Sequence, residues 1–361
     1  MLLIFSLIIL AGSGCARNNK CDPVHYQIWG YYPHWIKDEW KKIDLRLFDR
    51  VFFFDIPVSV AGTVLETSDW PRNWQKLIVA AKEKGSRLQL TFTLFDAAVF
   101  ERVFTNQNLQ NTLKAQMLVL LDQADSGGLQ IDFEIFSPVS DKSAEGFRLF
   151  LKTIKNDLAN RKKSLTLFVL SHDRAGLYDK ETIGRADFIV IQGYDIHWKE
   201  SVNAGPITQL RGKLEGSWEL SLEYYLSLGI PRNKIIMSVP YFGYEWPTVS
   251  NVPGAMTRAI GSEISFAPLP ANLVPDVKAS AMARIKQYGA RRDATTGSPY
   301  YIFKDESGWY QGWYEDDKSL SAKFEYVKEN RLAGIAVFPL GYDDGKMQNL
   351  LRSHFRPPNC R

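Results

Sequence analysis

Gly127-Gly128-Leu129-Gln130-Ile131-Asp132-Phe133-Glu134 alternates apolar and polar residues behind a pair of glycines. Period-two alternation marks a strand, so Leu129, Ile131 and Phe133 share one face and Gln130, Asp132 and Glu134 the other. Two carboxylates on one side of a hydrophobic strand are costly to bury unless they are used. Neighbouring acids also resist joint ionisation, so one keeps its proton near neutral pH. A protonated acid beside an ionised one is the equipment for cleaving a glycosidic bond. The plainer reading is a strand end with solvated acids, and the rest of the chain has to decide between the two.

Working outward, eight strand-like runs occur in order, at residues 25–32, 50–56, 87–95, 128–136, 164–171, 187–195, 234–242 and 333–340. Amphipathic stretches at 73–84, 111–123, 144–158, 217–228 and 319–330 lie between them. Strand and helix alternating eight times predict an α/β fold, a parallel (β/α)8 TIM barrel. Sites in that fold lie at the carboxyl ends of the strands, where Asp132 and Glu134 close the fourth. One interval, between the seventh strand and the helix starting near Ser319, is too long for a loop and holds Pro247, Pro253, Pro268, Pro270 and Pro275. With a helix expected at 278–288 and a hairpin at 300–313, residues 247–316 read as a small α+β insertion walling the catalytic face.

The length of 361 residues suits one such barrel, and 45% hydrophobic with 23% charged residues describes an ordinary globular chain. A net charge of +4 without a basic block argues against a nucleic-acid partner. Five histidines and three cysteines show no zinc-site spacing, and neither a phosphate loop nor a nucleophile-elbow serine is present, so no metal and no cofactor is expected.

Residues 1–10 are almost wholly apolar, too short to span a bilayer but suited to a secretory signal. The small residues leading into Cys15 resemble a bacterial lipoprotein signal. The expectation is a leader and short tether over 1–21, a barrel domain over 22–361, and export to the bacterial cell envelope. A lipid on Cys15 would then be its one tie to the membrane. Export permits a disulfide, and a closed barrel sets its first strand beside its last helix, so Cys21 and Cys360 are expected to pair. A monomer is expected.

From Trp29 to Asp344 the chain resembles glycoside hydrolase family 18, the chitinase-like enzymes, with its motifs in the family's order. Gly30-Tyr31-Tyr32-Pro33-His34-Trp35 resembles the first-strand pattern, and Gly128 to Glu134 the end of the DxxDxDxE signature. Tyr194-Asp195 resembles the sixth-strand motif and Pro240-Tyr241-Phe242-Gly243 the seventh. Trp313-Tyr314-Glu315-Asp316, Ser319, Lys323, Gly334 and Asp343 match the approach to and exit from the eighth.

The resemblance implies substrate-assisted hydrolysis of a β-linked N-acetylhexosamine glycan with retention. Glu134 would protonate the leaving oxygen, and the sugar's own acetamido oxygen would close to an oxazolinium. Asp132 would hold the acetamido N–H, and Tyr194 its oxygen. Acids two apart on one strand project side by side, so Asp132 cannot attack from the face opposite Glu134 as a direct two-carboxylate mechanism requires.

The chain departs from the pattern at Gly127 and Gln130, which replace two signature Asp residues, at Gln192, which replaces a Met, and at Phe338, which replaces the floor Trp. Thr91-Phe92-Thr93-Leu94 stands where Ser-x-Gly-Gly is usual. An amide cannot take a proton, so Gln130 and Gln192 are expected to bond each other in place of the missing acid. Tyr31, Trp35, Asp195, His197, Tyr241 and Trp246 complete the expected substrate contacts. The alternative is a non-catalytic, lectin-like envelope protein of the same fold.

Overall fold

The computed structural model describes residues 25–65, 69–277 and 279–357. Cys15, Cys21 and Cys360, and with them the lipid and disulfide expectations, lie outside the described residues.

Eight parallel strands close into a barrel. They are β1 (Gln27–Pro33), β2 (Arg50–Pro57), β3 (Arg87–Leu94), β4 (Gly128–Phe133), β5 (Ser164–Val169), β6 (Phe188–Ile191), β7 (Ile235–Pro240) and, after the insertion, β13 (Gly334–Phe338). Neighbours follow chain order around the ring, and β13 closes it between β7 and β1. Leu129, Ile131 and Phe133 are fully buried, and Phe133 meets Phe147 of helix Asp141–Asn160 at 5.9 Å; that helix is capped by Ser140 at its start and buries Phe147, Phe150, Leu151, Ile154 and Leu158. The apolar face of β4 therefore points outward to helix and its polar face into the barrel. Fully buried apolar strand residues such as these are what a parallel sheet covered on both faces demands.

The barrel floor is plugged by a cation. The Arg50 guanidinium lies 4.8 Å from the Trp29 ring centroid and 5.0 Å from that of Phe188, and donates to Ser164 Oγ at 2.8 Å. Burial pulls its pKa down to about 10, and the aromatic faces and hydroxyl offset part of that desolvation. Above it lie Gln130, Thr91 and Tyr31, then Asp132 and Thr93 at the open end; Thr91 pairs with Gln130 and Thr93 with Asp132 in the β3–β4 register.

Between β7 and the helix Asp317–Glu329 the chain builds a five-stranded antiparallel sheet. Its strands are β8 (Phe242–Thr248), β9 (Ser262–Ser265), β10 (Arg291–Arg292), β11 (Pro299–Asp305) and β12 (Gly308–Trp313), in the order β10-β11-β12-β8-β9. Helix Ala281–Tyr288 packs beside β11. The sheet begins upstream of the expected boundary at Pro247, because Tyr244 to Thr248 pair with β12 and Phe242 to Glu245 with β9. Gly243 marks the switch from barrel to insertion, where a Cβ would come within 2.3 Å of the Trp313 carbonyl oxygen. The chain returns to the barrel through a buried ion pair, Lys323 Nζ to Glu315 Oε2 at 2.7 Å.

Candidate active site

β4 delivers the acids. Asp132 is 2% exposed, and its Oδ1 is buried with no hydrogen-bond partner. Burial raises its pKa, with the charges of Glu134 and then Asp55 adding to the effect. The strand ends at Phe133, one residue short of Glu134, whose backbone N–H still donates to the Leu94 carbonyl at 3.0 Å. Glu134 is half-buried, and its carboxyl is pushed up to about 8, first by burial and then by the charge of Asp195. Glu134 therefore carries a proton at neutral pH while remaining accessible from the mouth.

Gln130, one layer below, is fully buried, and both ends of its amide are occupied. Nε2 donates to the Tyr31 hydroxyl at 2.9 Å, and Oε1 accepts from Thr91 Oγ1 at 3.3 Å. Gln192 turns the other way, its Nε2 3.5 Å from Asp195 Oδ2. The expected Gln130–Gln192 bond is not among those of the described residues: each amide meets a nearer partner.

The chain leaves β6 at Ile191, and Asp195 takes a left-handed conformation at φ 64°. Asp195 accepts from the Tyr244 hydroxyl of β8 at 3.2 Å, and burial pushes its carboxyl up to about 7. Tyr194 lies nearly parallel to Phe338, with centroids 6.1 Å apart and 16° between planes, and edge-on to Phe242 at 5.6 Å. Burial holds its hydroxyl neutral, a hydrogen-bond donor through the physiological range. Phe338 also meets Tyr31 at 6.0 Å and Phe54 at 5.0 Å. It is half-buried, an apolar floor among four rings.

Further groups complete the mouth without having been singled out from sequence. Trp35 Nε1 donates to the Tyr342 hydroxyl at 3.3 Å. Tyr342 in turn bonds Glu263 of β9, whose carboxyl burial pushes up to about 7. Asp55 on β2 accepts from Thr93 Oγ1 at 2.5 Å and faces His34 Nε2 at 3.6 Å. Of these, Asp55 left a readable trace, an acid ending the apolar run Val51-Phe52-Phe53-Phe54 as Asp132 interrupts its own.

An apolar floor, a neutral tyrosine and a protonated acid beside a partnerless carboxylate oxygen, all at the carboxyl end of a parallel barrel, match one family's pattern. The description "Glycosyl hydrolases family 18" fits residues 27–343. The chain belongs to glycosyl hydrolases family 18. Among curated relatives, YdhD of Bacillus subtilis (strain 168), which bears the name of a sporulation-specific glycosylase, is 27% identical over 310 residues, 82% of this chain and 66% of that protein. The cortical fragment-lytic enzyme of Bacillus anthracis is 24% identical over 271 residues, 72% of this chain and 57% of the enzyme. The chain thus spans just under two thirds or less of these relatives' length. Among solved structures, the GH18 chitinase from Cycas revoluta in complex with (GlcNAc)3 superposes with a TM-score of 0.77 at 19% identity, over 91% of this chain and 99% of that one. That likeness concerns the fold.

Within this family 18 barrel, two expected contacts, Trp246 and His197, are engaged elsewhere. Trp246 is fully buried inside the insertion, its Nε1 directed at the carbonyls of Trp198 and Lys199 at 3.3 and 3.2 Å, so it offers no face to a sugar. Tyr241 is buried, its hydroxyl without a hydrogen-bond partner and nearest in charge to Asp343. His197 Nδ1 donates to the Pro206 carbonyl at 2.8 Å, and the ring lines a separate cavity of about 420 Å³ with Pro206, Pro253, Asp293 and Trp313. Its pKa is lowered by burial. Tyr31, Tyr194 and Phe338 are joined by ring contacts, and Trp35 reaches them through Phe54 at 5.9 Å. Gln192 meets Asp195, Asp132 feels the charge of Glu134, and Glu134 that of Asp195. Among the described residues no cluster of His, Cys, Asp or Glu is arranged to hold a metal ion.

Proposed function

We propose that this protein hydrolyses β-glycosidic bonds in an N-acetylhexosamine-containing polysaccharide, with retention, through an oxazolinium formed by the substrate's own acetamido group. The observation that carries the reading is the pairing of a protonated Glu134 with the orphaned Oδ1 of Asp132. A buried carboxylate oxygen without a donor is expensive, and a substrate N–H inserted there relieves the cost. Glu134 gives its proton to the glycosidic oxygen as the bond to the anomeric carbon breaks. The acetamido oxygen bonds that carbon from the other face, and ionised Asp132 stabilises the positive charge on the amide nitrogen. Tyr194 donates to the acetamido oxygen, and the sugar ring rests on Phe338.

Two names in the comparisons support this substrate class. A curated relative is a cortical fragment-lytic enzyme, and a structural neighbour holds (GlcNAc)3. The test is turnover of N-acetylglucosamine oligomers carrying a chromogenic leaving group. The parent should be active and Glu134→Gln slower by roughly two or more orders of magnitude. A parent that binds these oligomers without cleaving them would replace the reading with a lectin-like one.

A further inference from the structure

Asp55 is 9% exposed and sits where the β2–β3 register slips, between Phe53 and Ile56. One of its oxygens takes the Thr93 hydroxyl at 2.5 Å, and the other lies 3.6 Å from His34 Nε2. Thr93 is the register partner of Asp132, so the Asp55–Thr93 pair flanks Asp132 at its own level in the barrel. Directly below Asp132 stands Gln130, which can neither ionise nor accept a proton and is held by Tyr31 and Thr91. The acid that reaches Asp132 from below in a complete signature is absent, and one reaches it from the side.

We propose that Asp55, clamped between Thr93 and His34, is a positioning residue that sets the protonation state of Asp132 in place of the missing signature carboxylate. The proposal rests on the reading of Asp132 as the group that holds the acetamido N–H. Burial raises the pKa of Asp55's own carboxyl, and the Thr93 hydroxyl holds it down. An ionised Asp55 opposes ionisation of Asp132, so the free site keeps its proton until the substrate N–H binds and the proton leaves to solvent; beside a neutral Asp55 it leaves at lower pH. Around the two acids, β1 and the turn after it contribute Tyr31 and His34, β3 contributes Thr93, and β4 contributes Glu134. The segment after β6 adds Tyr194 and Asp195, and Tyr178 approaches from the segment after β5. The tyrosines are held neutral by burial, and His34 is biased neutral for the same reason. No standing cation among these groups competes with Asp55 for control of Asp132.

The experiment is a carbon-13 NMR titration of the side-chain carboxyls in the parent, Asp55→Asn and Asp55→Glu, which needs no turnover. Asp132 should titrate roughly one pH unit or more lower in Asp55→Asn and near the parent value in Asp55→Glu. Glu134, which feels Asp195, should not fall with it. With an active enzyme, the acidic limb of kcat/KM should move down by the same amount while the basic limb does not fall. An unmoved Asp132 in folded Asp55→Asn overturns the proposal. Should that variant fail to fold, Thr93→Val, which frees Asp55 to take up a proton, must shift Asp132 in the same direction, and no shift overturns the proposal as well. A parent inactive on every N-acetylhexosamine oligomer would strike the functional reading and leave the titration to judge Asp55.

Discussion

Gln130 on β4 donates its amide to the Tyr31 hydroxyl on β1 at 2.9 Å, across the interior of the barrel. The strands are not neighbours in the ring, so this bond ties opposite walls beneath the acids. Gln130→Leu leaves the Tyr31 hydroxyl buried without its donor, at a cost of about 1–3 kcal/mol. Urea denaturation should show that loss, and adding Tyr31→Phe should recover part of it. Additive losses in the pair would mean that the bond contributes nothing.

Glu134 links stability to pH. Its carboxyl ionises near its ordinary value of 4.5 in the unfolded chain and at about 8 in the fold. The stabilisation is whole below 4.5 and is lost as pH rises through 8, because only the unfolded chain releases the proton in between. Glu134→Gln has no proton to release. Its thermal midpoint should gain on the parent's between pH 5 and pH 8, by about 1–2 °C for each kcal/mol recovered. A constant difference across that window would contradict the raised value.

Trp35 and Trp246 should separate function from packing. Trp246→Ala opens a cavity in the insertion and should cost about 3–5 kcal/mol. Trp35→Ala, at the half-buried rim, should raise KM with a smaller loss of stability. A larger KM change in Trp246→Ala than in Trp35→Ala would reverse the assignment.

Lys323 and Glu315 are 3% and 1% exposed at the return from the insertion. Lys323→Met strands a buried carboxylate and should cost about 3–5 kcal/mol, whereas the double variant with Glu315→Leu should recover most of it. Calorimetry on both variants decides, and a double variant no better than the single one would argue against charge burial as the cause.

Eight apolar runs at helix-length spacing carried the barrel, because fully buried parallel strands leave that trace in a sequence. The insertion's start was less legible. Tyr244 to Thr248 pair with Trp309 to Trp313, more than sixty residues on, and nothing local in Tyr244-Glu245-Trp246 announces that partner. The same gap hid the burial of Trp246, which in sequence only follows a strand. Asp132 and Glu134 were legible because alternation assigns them a face. Gln130 and Gln192 were paired wrongly because a shared barrel layer does not specify which neighbour is nearest; Tyr31, Thr91 and Asp195 are. Glu263 and Tyr342 meet only through the fold.

The most direct measurement is proton NMR of the first product formed from an N-acetylglucosamine oligomer, recorded before mutarotation. A substrate-assisted reaction at Glu134 and Asp132 predicts the β-anomer first. An α-anomer first, or no cleavage by the parent protein, would contradict it.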